Sequence, residues 1–369
     1  MRSNKAFRIG REVKITFFKY LFAIVLAALI GAALLAAQGE SPINAYKLIL
    51  EGSFGSIGKL GNTIRWTIPC LIGGAAAIIA LKSGFRNMGI EGQVYMGAFA
   101  AAVAGAYLEL PGVPHVLLCL LVSGITGLLW ILLPAVLKLY FNVSELISTL
   151  MMNYVALQFT QYLVIWKIMG GKQTASGSAA IATPAIHETA YLPNIIKTTS
   201  ANAGLFIGLA ICLIIWFVYK YTIAGYEVRQ IGENMGFARA GGVNIVKRFI
   251  GVFLVSGFVA GLCGGVEVCG AYHSFTDGFS SNLGWEAILV ARVCANNPIA
   301  LIAVSLVWGA LKAGALHMER MISVNRLTVN IIQMLFILFV AVDYNSVYTR
   351  IMQWLKRAKA KKDEGGREK

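Results

Sequence analysis

Apolar runs, each about as long as a membrane-crossing helix, recur along this sequence and constrain its fold more than any other feature. An α-helix needs about 20 mostly apolar residues to cross roughly 30 Å of hydrocarbon. Only 13% of the residues are charged, whereas about a quarter are charged in a soluble globular domain, so little polar surface is present to cover a water-facing fold. We therefore expect an all-α fold, a polytopic integral membrane bundle of helices.

The apolar runs and the breaks between them predict about ten transmembrane helices. Their ranges are 17–37, 64–81, 89–108, 116–137, 144–166, 202–218, 249–271, 285–295, 299–316 and 327–343. The eighth is too short to cross alone, and we interpret it as a short or partly re-entrant span that ends before Asn296, Asn297 and Pro298. Joining it to the ninth would leave nine crossings and put the basic carboxyl tail outside, against the rule that cytoplasmic segments carry the Lys and Arg.

The distribution of positive charge predicts the orientation. The amino end, 1–16, and the tail, 344–369, are both basic, so both termini are expected in the cytoplasm on either side of a single transmembrane domain, the bundle 17–343. A cleaved secretory signal is the alternative for the amino end, but its apolar stretch exceeds a usual signal core and many spans follow. The tail suits either an interfacial helix or a solvated segment.

Several function classes lack their sequence signatures. The net charge of +15 does not indicate nucleic-acid binding, because the basic residues gather at the termini and in loops as membrane topology requires. The sequence has no phosphate-binding loop, no His-Glu-x-x-His and no Gly-x-Ser-x-Gly. Its six cysteines form no Cys-x-x-Cys pair and no cluster with histidine at metal-ligand spacing. We therefore predict no catalytic residue, no metal and no cofactor, and no enzyme activity in this chain.

Polar side chains inside the predicted spans are the candidates for a solute pathway. Glu145, Thr149 and Asn153 share one face of the fifth span, at positions i, i+4 and i+8. A line of polar side chains on an apolar helix should face the bundle interior, because exposure to lipid is costly. Pairing with a neighbouring helix is the structural alternative for each, as it is for Glu286 and Arg292 on the eighth span. The pathway-lining candidates are Glu91, Gln93, Glu145, Thr149, Asn153 and Glu267.

Two stripes of small residues at four-residue spacing predict close helix packing. Helix association in lipid depends on packing, and small residues let two backbones approach. The stripes consist of Gly97, Ala101 and Gly105 in the third span and Gly257, Gly261 and Gly265 in the seventh.

The segment 219–248 is polar, basic and capable of forming helix, and it lies between two apolar runs. The predicted topology places it in the cytoplasm. We interpret it as a docking surface for another protein. The alternative is a solvated loop whose charges only set the topology.

Four stretches of the sequence resemble signatures of one transporter family. They read GFRNMGIEGQVYMGAFA at 84–100, NVSELISTLMMNYVA at 142–156, GENMGFARAGGVNI at 232–245 and SGFVAGLCGGVE at 256–267. The chain resembles the permease subunits of ATP-binding-cassette (ABC) importers for ribose-type sugars, nucleosides and branched-chain amino acids. The sequences of its four stretches are most similar to those of the nucleoside-uptake subgroup. Two departures are Cys263, where the family often has Ala, and the run 292–295, where a Leu-Leu-Gly type is common.

The resemblance implies a permease subunit in the bacterial cytoplasmic membrane, in contact with membrane lipids. It implies a second permease subunit, identical or homologous, a cytoplasmic ATPase that binds the ATP, and an extracytoplasmic substrate-binding lipoprotein. The solute would be small and polar, most nearly a nucleoside, with a simple sugar or a branched-chain amino acid as alternatives. The ATPase would contact a coupling helix at Gly232, Glu233, Asn234, Arg239 and Gly242.

An ion-coupled secondary carrier is the alternative from another class. Such a carrier needs a coupling acid near the middle of the membrane. Glu145 lies too close to a membrane edge to serve as that acid.

Overall fold

The computed structural model of this chain describes residues 25–26, 28–168, 182–276, 278–322, 331 and 334. The amino end, 1–16, the basic tail, 344–369, and most of the predicted tenth span lie outside these residues. Residues Ala45–Ser323 form one compact unit, and all packing described below lies within it.

The described residues form helices and no β-strand, which confirms the all-α prediction for this part of the chain. Two helices, α6 and α10, each continue into a π-helical turn, at Val164–Ile168 and Val268–Tyr272, and a single 3₁₀ turn lies at Glu188–Ala190. The α-helices are α1 Ala28–Ala37, α2 Pro42–Phe54, α3 Ile57–Lys82, α4 Ile90–Tyr107, α5 Gly112–Phe141, α6 Glu145–Leu163, α7 Gly204–Tyr221, α8 Ile223–Glu233, α9 Met235–Ala240, α10 Ile245–Glu267, α11 Leu283–Val293 and α12 Pro298–Met321.

Five of the described helices are long and apolar enough to cross a membrane: α3, α5, α7, α12 and α10 together with its π-helical turn. They coincide with the second, fourth, sixth, ninth and seventh predicted spans. The third and fifth spans correspond to α4 and α6, which are of crossing length but are not among these five. α4 carries Glu91 and Gln93 near its start, and α6 carries several polar residues. The count of ten therefore stays a prediction.

The centre of the unit is α3. In its most apolar window 89% of the residues are buried, against 33% for α5 and 28% for α7. α3 packs against α7, α10, α11 and α12, and α10 in turn packs against α4 and α5. The outer helices expose regular apolar faces, such as Leu117, Leu121, Ile125 and Leu129 on α5. An apolar face of that length suits lipid and would be a liability in water.

Capping residues make the break between α11 and α12. Ala295 and Asn296 have φ of 51° and 57°, in the left-handed region that ends helices. The Asn297 side chain then accepts a hydrogen bond from the amide of Ile299 at 3.0 Å, and Pro298 occupies the first turn of α12, where its missing N–H costs nothing. The predicted interruption therefore has a local chemical cause.

The segment before α11 differs from its sequence interpretation. We expected an external turn at 273–284, but Phe275, Phe279 and Ser280 are buried. The ring of Phe275 lies 5.7 Å from that of Phe99, and the ring of Phe279 lies 5.2 Å from that of Tyr95. The chain therefore returns into the bundle antiparallel to α4, and α11 begins in the interior. α11 has 11 residues, as short as the predicted eighth span, and the partly re-entrant path of that span stays a prediction.

Candidate functional site

Arg65 of α3 and Glu267 of α10 form a two-bond ion pair inside the bundle. Nη2 of Arg65 lies 2.7 Å from Oε2 of Glu267, and Nη1 lies 3.3 Å from Oε1. Glu267 is almost completely buried. A buried carboxylate without a partner would be strongly destabilising, so the fork geometry of the guanidinium is what lets this charge sit in the interior.

A second interior ion pair joins α11 to α12. Nζ of Lys312 lies 2.7 Å from both carboxylate oxygens of Glu286, and Trp308 donates from Nε1 to Oε2 at 3.1 Å. The side chains of Glu286 and Lys312 keep 16% and 11% of their exposure. The Glu286 carboxylate is therefore less enclosed than that of Glu267, which keeps 1% of its exposure.

Trp66 connects the two ion pairs. The Arg65 guanidinium carbon and the Lys312 ammonium nitrogen each lie 4.4 Å from the centre of the Trp66 ring. Arg65 also lies 5.2 Å from the centre of the Tyr272 ring. A cation over an aromatic face gains about 0.5–1 kcal/mol at exposed sites and about 2 kcal/mol when desolvated. We call Arg65, Trp66, Glu267, Tyr272, Glu286, Trp308 and Lys312 the charge–aromatic cluster.

The charge–aromatic cluster has the chemistry of a site for an uncharged polar molecule. Its two cations and two carboxylates balance, so it offers no net attraction to an ion. It presents guanidinium, ammonium and indole donors, carboxylate acceptors and aromatic faces on four helices. Specific sites for small molecules combine a few placed polar groups with apolar and aromatic walls in this way.

The sequence interpretation found only part of this cluster. Glu267 was a pathway-lining candidate, and Glu286 was noted as a polar residue on the eighth span. Arg65, Lys312 and Trp66 were missed. The signal was present, because Arg65 and Lys312 are cations inside predicted apolar spans, and a charge there marks a functional or paired position.

The polar line on α6 holds the connection between α3 and α4. Asn153 accepts a hydrogen bond from the Gly92 amide and donates one to the Met88 carbonyl, both at 2.8 Å. Thr149 accepts from the Met88 amide at 3.1 Å. Glu145 pairs instead with Lys138 of α5, 3.0 Å away. Thr149 and Asn153 therefore bind the backbone between α3 and α4, and Glu145 binds a side chain of α5.

Glu91 and Gln93 also have defined partners. The Glu91 carboxylate accepts from the Ser280 hydroxyl at 2.6 Å and from the Gly284 amide at 2.5 Å, in the first turn of α11. Gln93 and Asn87 exchange hydrogen bonds, and Asn87 also donates to Ser256 of α10 at 2.9 Å. Of the six pathway-lining candidates, Glu267 belongs to the charge–aromatic cluster, and Glu91 touches the helix that carries Glu286.

The small-residue stripes lie at close backbone contacts. A Cβ added to Gly97 would lie 2.2 Å from the carbonyl oxygen of Gly261, so α4 and α10 approach backbone to backbone. The other small residues of the two stripes lie against different side chains and backbone groups. Ala101 is buried, Gly105 lies against Ile186, Gly257 lies against Ile131 and the Gly127 carbonyl, and Gly265 lies against Ser123.

The predicted coupling residues lie on an exposed helical elbow. Gly232, Glu233, Asn234 and Arg239 are exposed at the junction of α8 and α9. Gly232 contacts the end of α3 so closely that a Cβ added to Gly232 would lie 2.2 Å from the Lys82 carbonyl oxygen. The elbow therefore packs against the end of α3. The Asn234 side chain caps α9 through the Phe237 amide at 3.0 Å. Gly242, with φ of 82°, ends the elbow in a conformation that favours glycine.

The elbow also exposes apolar side chains. Phe237 and Met235 are 64% and 42% exposed, beside the charged Glu233 and Arg239. Exposed apolar groups rimmed by charges are typical of protein-binding surfaces. Among the described residues, no group of three or more His, Cys, Asp or Glu side chains could hold a metal ion, and the six cysteines are free and buried.

Known proteins match this chain over most of its length. A family model described as branched-chain amino acid transport system, permease component, matches residues 59–342. The chain is 32% identical over 330 residues to the guanosine ABC transporter permease protein NupP of Bacillus subtilis, which covers 88% of this chain and 92% of that protein. It is 30% identical over 323 residues to the glucose ABC transporter permease protein TsgB13 of Haloferax volcanii, covering 85% and 84%. It is 26% identical over 302 residues to the nucleoside ABC transporter permease protein NupB of Lactococcus lactis subsp. cremoris, covering 80% and 82%.

Proposed function

Because this chain belongs to the family of permease components of branched-chain amino acid transport systems, we propose that it is the permease subunit of an ABC importer for a nucleoside. The observation that carries the proposal is the charge–aromatic cluster, in which two compensated ion pairs meet around Trp66. A nucleoside is uncharged at neutral pH and has an aromatic base with a hydroxyl-rich ribose. Aromatic rings and hydrogen-bonding groups without net charge match both of its parts.

The pathway would run past the charge–aromatic cluster, with Glu267 among its lining residues. In this proposal Gln93, Thr149 and Asn153 hold the connection between α3 and α4 in place, and Glu91 fixes the start of α11. Glu145 anchors α6 to α5. These residues would set the position of the helices that frame the pathway.

Transport would be driven by a separate ATPase that docks on the elbow of α8 and α9. The sequence has no phosphate-binding loop of its own. The elbow offers Phe237 and Met235 as apolar contacts and Glu233 and Arg239 as charged ones. Because Gly232 lies against the end of α3, movement of the elbow would reach the helix that carries Arg65 and Trp66. A second permease subunit and an extracytoplasmic substrate-binding protein would complete the importer.

Two other solute classes remain as alternatives within the same family. The Haloferax volcanii relative is named for glucose, and a sugar shares the hydroxyl groups of a ribose. A branched-chain amino acid is a zwitterion and would need the ion pairs to open and accept its two charges. An ion-coupled carrier would need an uncompensated interior acid. Glu267 and Glu286 are both paired with cations, whereas the buried Glu91 carboxylate is held by the Ser280 hydroxyl and the Gly284 amide and is the acid that such a carrier would use.

Uptake by the reconstituted importer tests this proposal. We expect ATP-dependent accumulation of labelled guanosine in vesicles that carry the permease, its ATPase and its binding protein. Excess unlabelled nucleoside should compete, and excess glucose or leucine should not. Competition by glucose or leucine alone would assign the solute to another class. Uptake that persists without the ATPase and collapses with an ionophore would establish the secondary carrier instead.

A further inference from the structure

A crevice of about 280 Å³ opens on the surface of the bundle where α7, α8 and α10 meet. Its walls are almost entirely aliphatic and include Ile214, Val218, Val228, Val252 and Val255. It lies at the end of α7 and the beginning of α10, whereas Glu267 of the charge–aromatic cluster is the last residue of α10. The end of α7 and the beginning of α10 are the helix ends that flank the basic segment 219–248.

The charged residues that line the crevice are cations. Arg248 is paired with Glu227 of α8. Lys247 is exposed, and its ammonium group has no ion-pair or hydrogen-bond partner among the residues that the structure describes. The whole segment 219–248 contains five basic and two acidic residues. The mouth of an apolar crevice is therefore positively charged, with one cation free to bind an anion.

Gly251 of α10 keeps the crevice open. A Cβ added there would meet no atom within 4 Å, although Gly257, Gly261 and Gly264 on the same helix are all in close contact with neighbours. Helix packing therefore does not require glycine at position 251. A larger side chain would instead extend into the space that the crevice provides.

We propose that this crevice binds an anionic phospholipid, with an acyl chain between α7 and α10 and the phosphate against Lys247. An aliphatic crevice between two apolar helices suits a hydrocarbon chain, and cations beside membrane helices attract anionic headgroups. The basic tail, 344–369, is the wrong occupant on grounds of charge, because its own cations would face Lys247 and Arg248. This inference is independent of the solute.

Lipid binding to the full-length chain can be measured by native mass spectrometry from detergent micelles. The probes are dioleoyl phosphatidylglycerol, which is anionic, and dioleoyl phosphatidylcholine, which has the same chains and no net charge. We expect phosphatidylglycerol to bind roughly fivefold more tightly, the effect of one surface cation on an anionic headgroup.

Two substitutions separate the chain site from the headgroup site. Gly251→Leu should weaken binding of both lipids, because it fills the crevice, and Gly58→Leu is its control at another open glycine of a helix. Lys247→Gln should remove the preference for phosphatidylglycerol and leave phosphatidylcholine binding unchanged. Lys197→Gln, at an exposed lysine away from the crevice, should change neither.

Three results would overturn the proposal. Equal binding of the two lipids to the unmodified chain would remove the headgroup site. An unchanged lipid preference in Lys247→Gln would do the same, even if Gly251→Leu failed to fold. Binding that appears only after deletion of 344–369 would identify the tail as the natural occupant.

Discussion

The carboxylate of Glu91 accepts a hydrogen bond from the backbone amide of Gly284 at 2.5 Å, so a side chain of α4 caps the first turn of α11. The Ser280 hydroxyl donates to the same carboxylate at 2.6 Å. Helix amino termini have unpaired amides and partial positive charge, which a carboxylate satisfies. Since α11 begins in the interior, where water is scarce, this contact replaces the solvent that would otherwise bind those groups.

Removing the Glu91 carboxylate should destabilise the bundle. Glu91→Ala leaves the Ser280 hydroxyl and the Gly284 amide without their acceptor, and a buried unpaired donor costs about 1–3 kcal/mol. Glu91→Gln keeps one acceptor oxygen and should cost less. The measurement is the thermal unfolding midpoint in detergent. Glu233→Ala, at an exposed position, should leave it unchanged, and a stable Glu91→Ala would show that the cap is dispensable.

The Arg65–Glu267 pair should behave as a buried ion pair. Glu267→Gln leaves the Arg65 charge uncompensated and should cost about 3–5 kcal/mol in unfolding free energy. The double variant Arg65→Met with Glu267→Met should recover most of that loss, because no buried charge then remains. Glu51→Gln, which breaks the exposed pair with Lys59, should have no measurable effect. Equal losses in the single and double variants would contradict this account.

Trp66 should affect transport more than stability. Trp66→Leu removes the ring that lies against both Arg65 and Lys312. In the proposed pathway this ring would also contact the base of the nucleoside, and an aromatic contact with a base is worth about 1–3 kcal/mol, on the order of tenfold in solute affinity. We expect KM for guanosine uptake to rise accordingly. Trp166→Leu is the matched control, because Trp166 is 64% exposed. Equal KM values in the two variants would exclude the cluster from solute recognition.

Adding one methyl group at Gly97 should force α4 and α10 apart. The Cβ of Gly97→Ala would lie 2.2 Å from the Gly261 carbonyl oxygen, and overpacking of this kind costs about 1–3 kcal/mol. Gly251→Ala adds the same methyl group in open space and should not lower the unfolding midpoint. If the two variants unfold alike, the close approach does not constrain the bundle.

The charge reversal Glu233→Arg with Arg239→Glu should uncouple the importer. Both side chains are exposed, so folding and membrane insertion should be intact. The reversed charges would misalign the docked ATPase, and ATP hydrolysis should continue while uptake is lost. Hydrolysis and uptake are measured in the same vesicles. Normal uptake by the double variant would make 219–248 an ordinary loop.

The helical fold follows from features that the sequence displays directly. Apolar runs and the interruption at Asn296, Asn297 and Pro298 predicted α12 and the break before it, because apolar runs and helix-breaking residues are local properties of a sequence. The prediction of an external turn at 273–284 was wrong because the burial of this segment depends on residues that are distant in the sequence. Phe275 and Phe279 gave a short apolar stretch among turn residues, and only the rings of α4 make their burial favourable.

The candidate site was predicted less completely than the fold. A single interior carboxylate such as Glu267 is visible in the sequence, but its partner Arg65 is 202 positions away, and no spacing rule links them. Lys312 and Trp66 meet for the same reason, through the packing of α12 on α3. Ion pairs between helices depend on which helices are neighbours, and that is a property of the assembled bundle.

Arg65 and Trp66 are consecutive residues of α3, and this places a kinematic constraint on the bundle. Arg65 contacts α10, and Trp66 contacts Lys312 of α12, which is paired with α11. Adjacent residues on a helix turn together, by the same angle about the same axis. A rotation of α3 therefore displaces both contacts at once, so α10 cannot be repositioned through Arg65 without a matching change at α11 and α12.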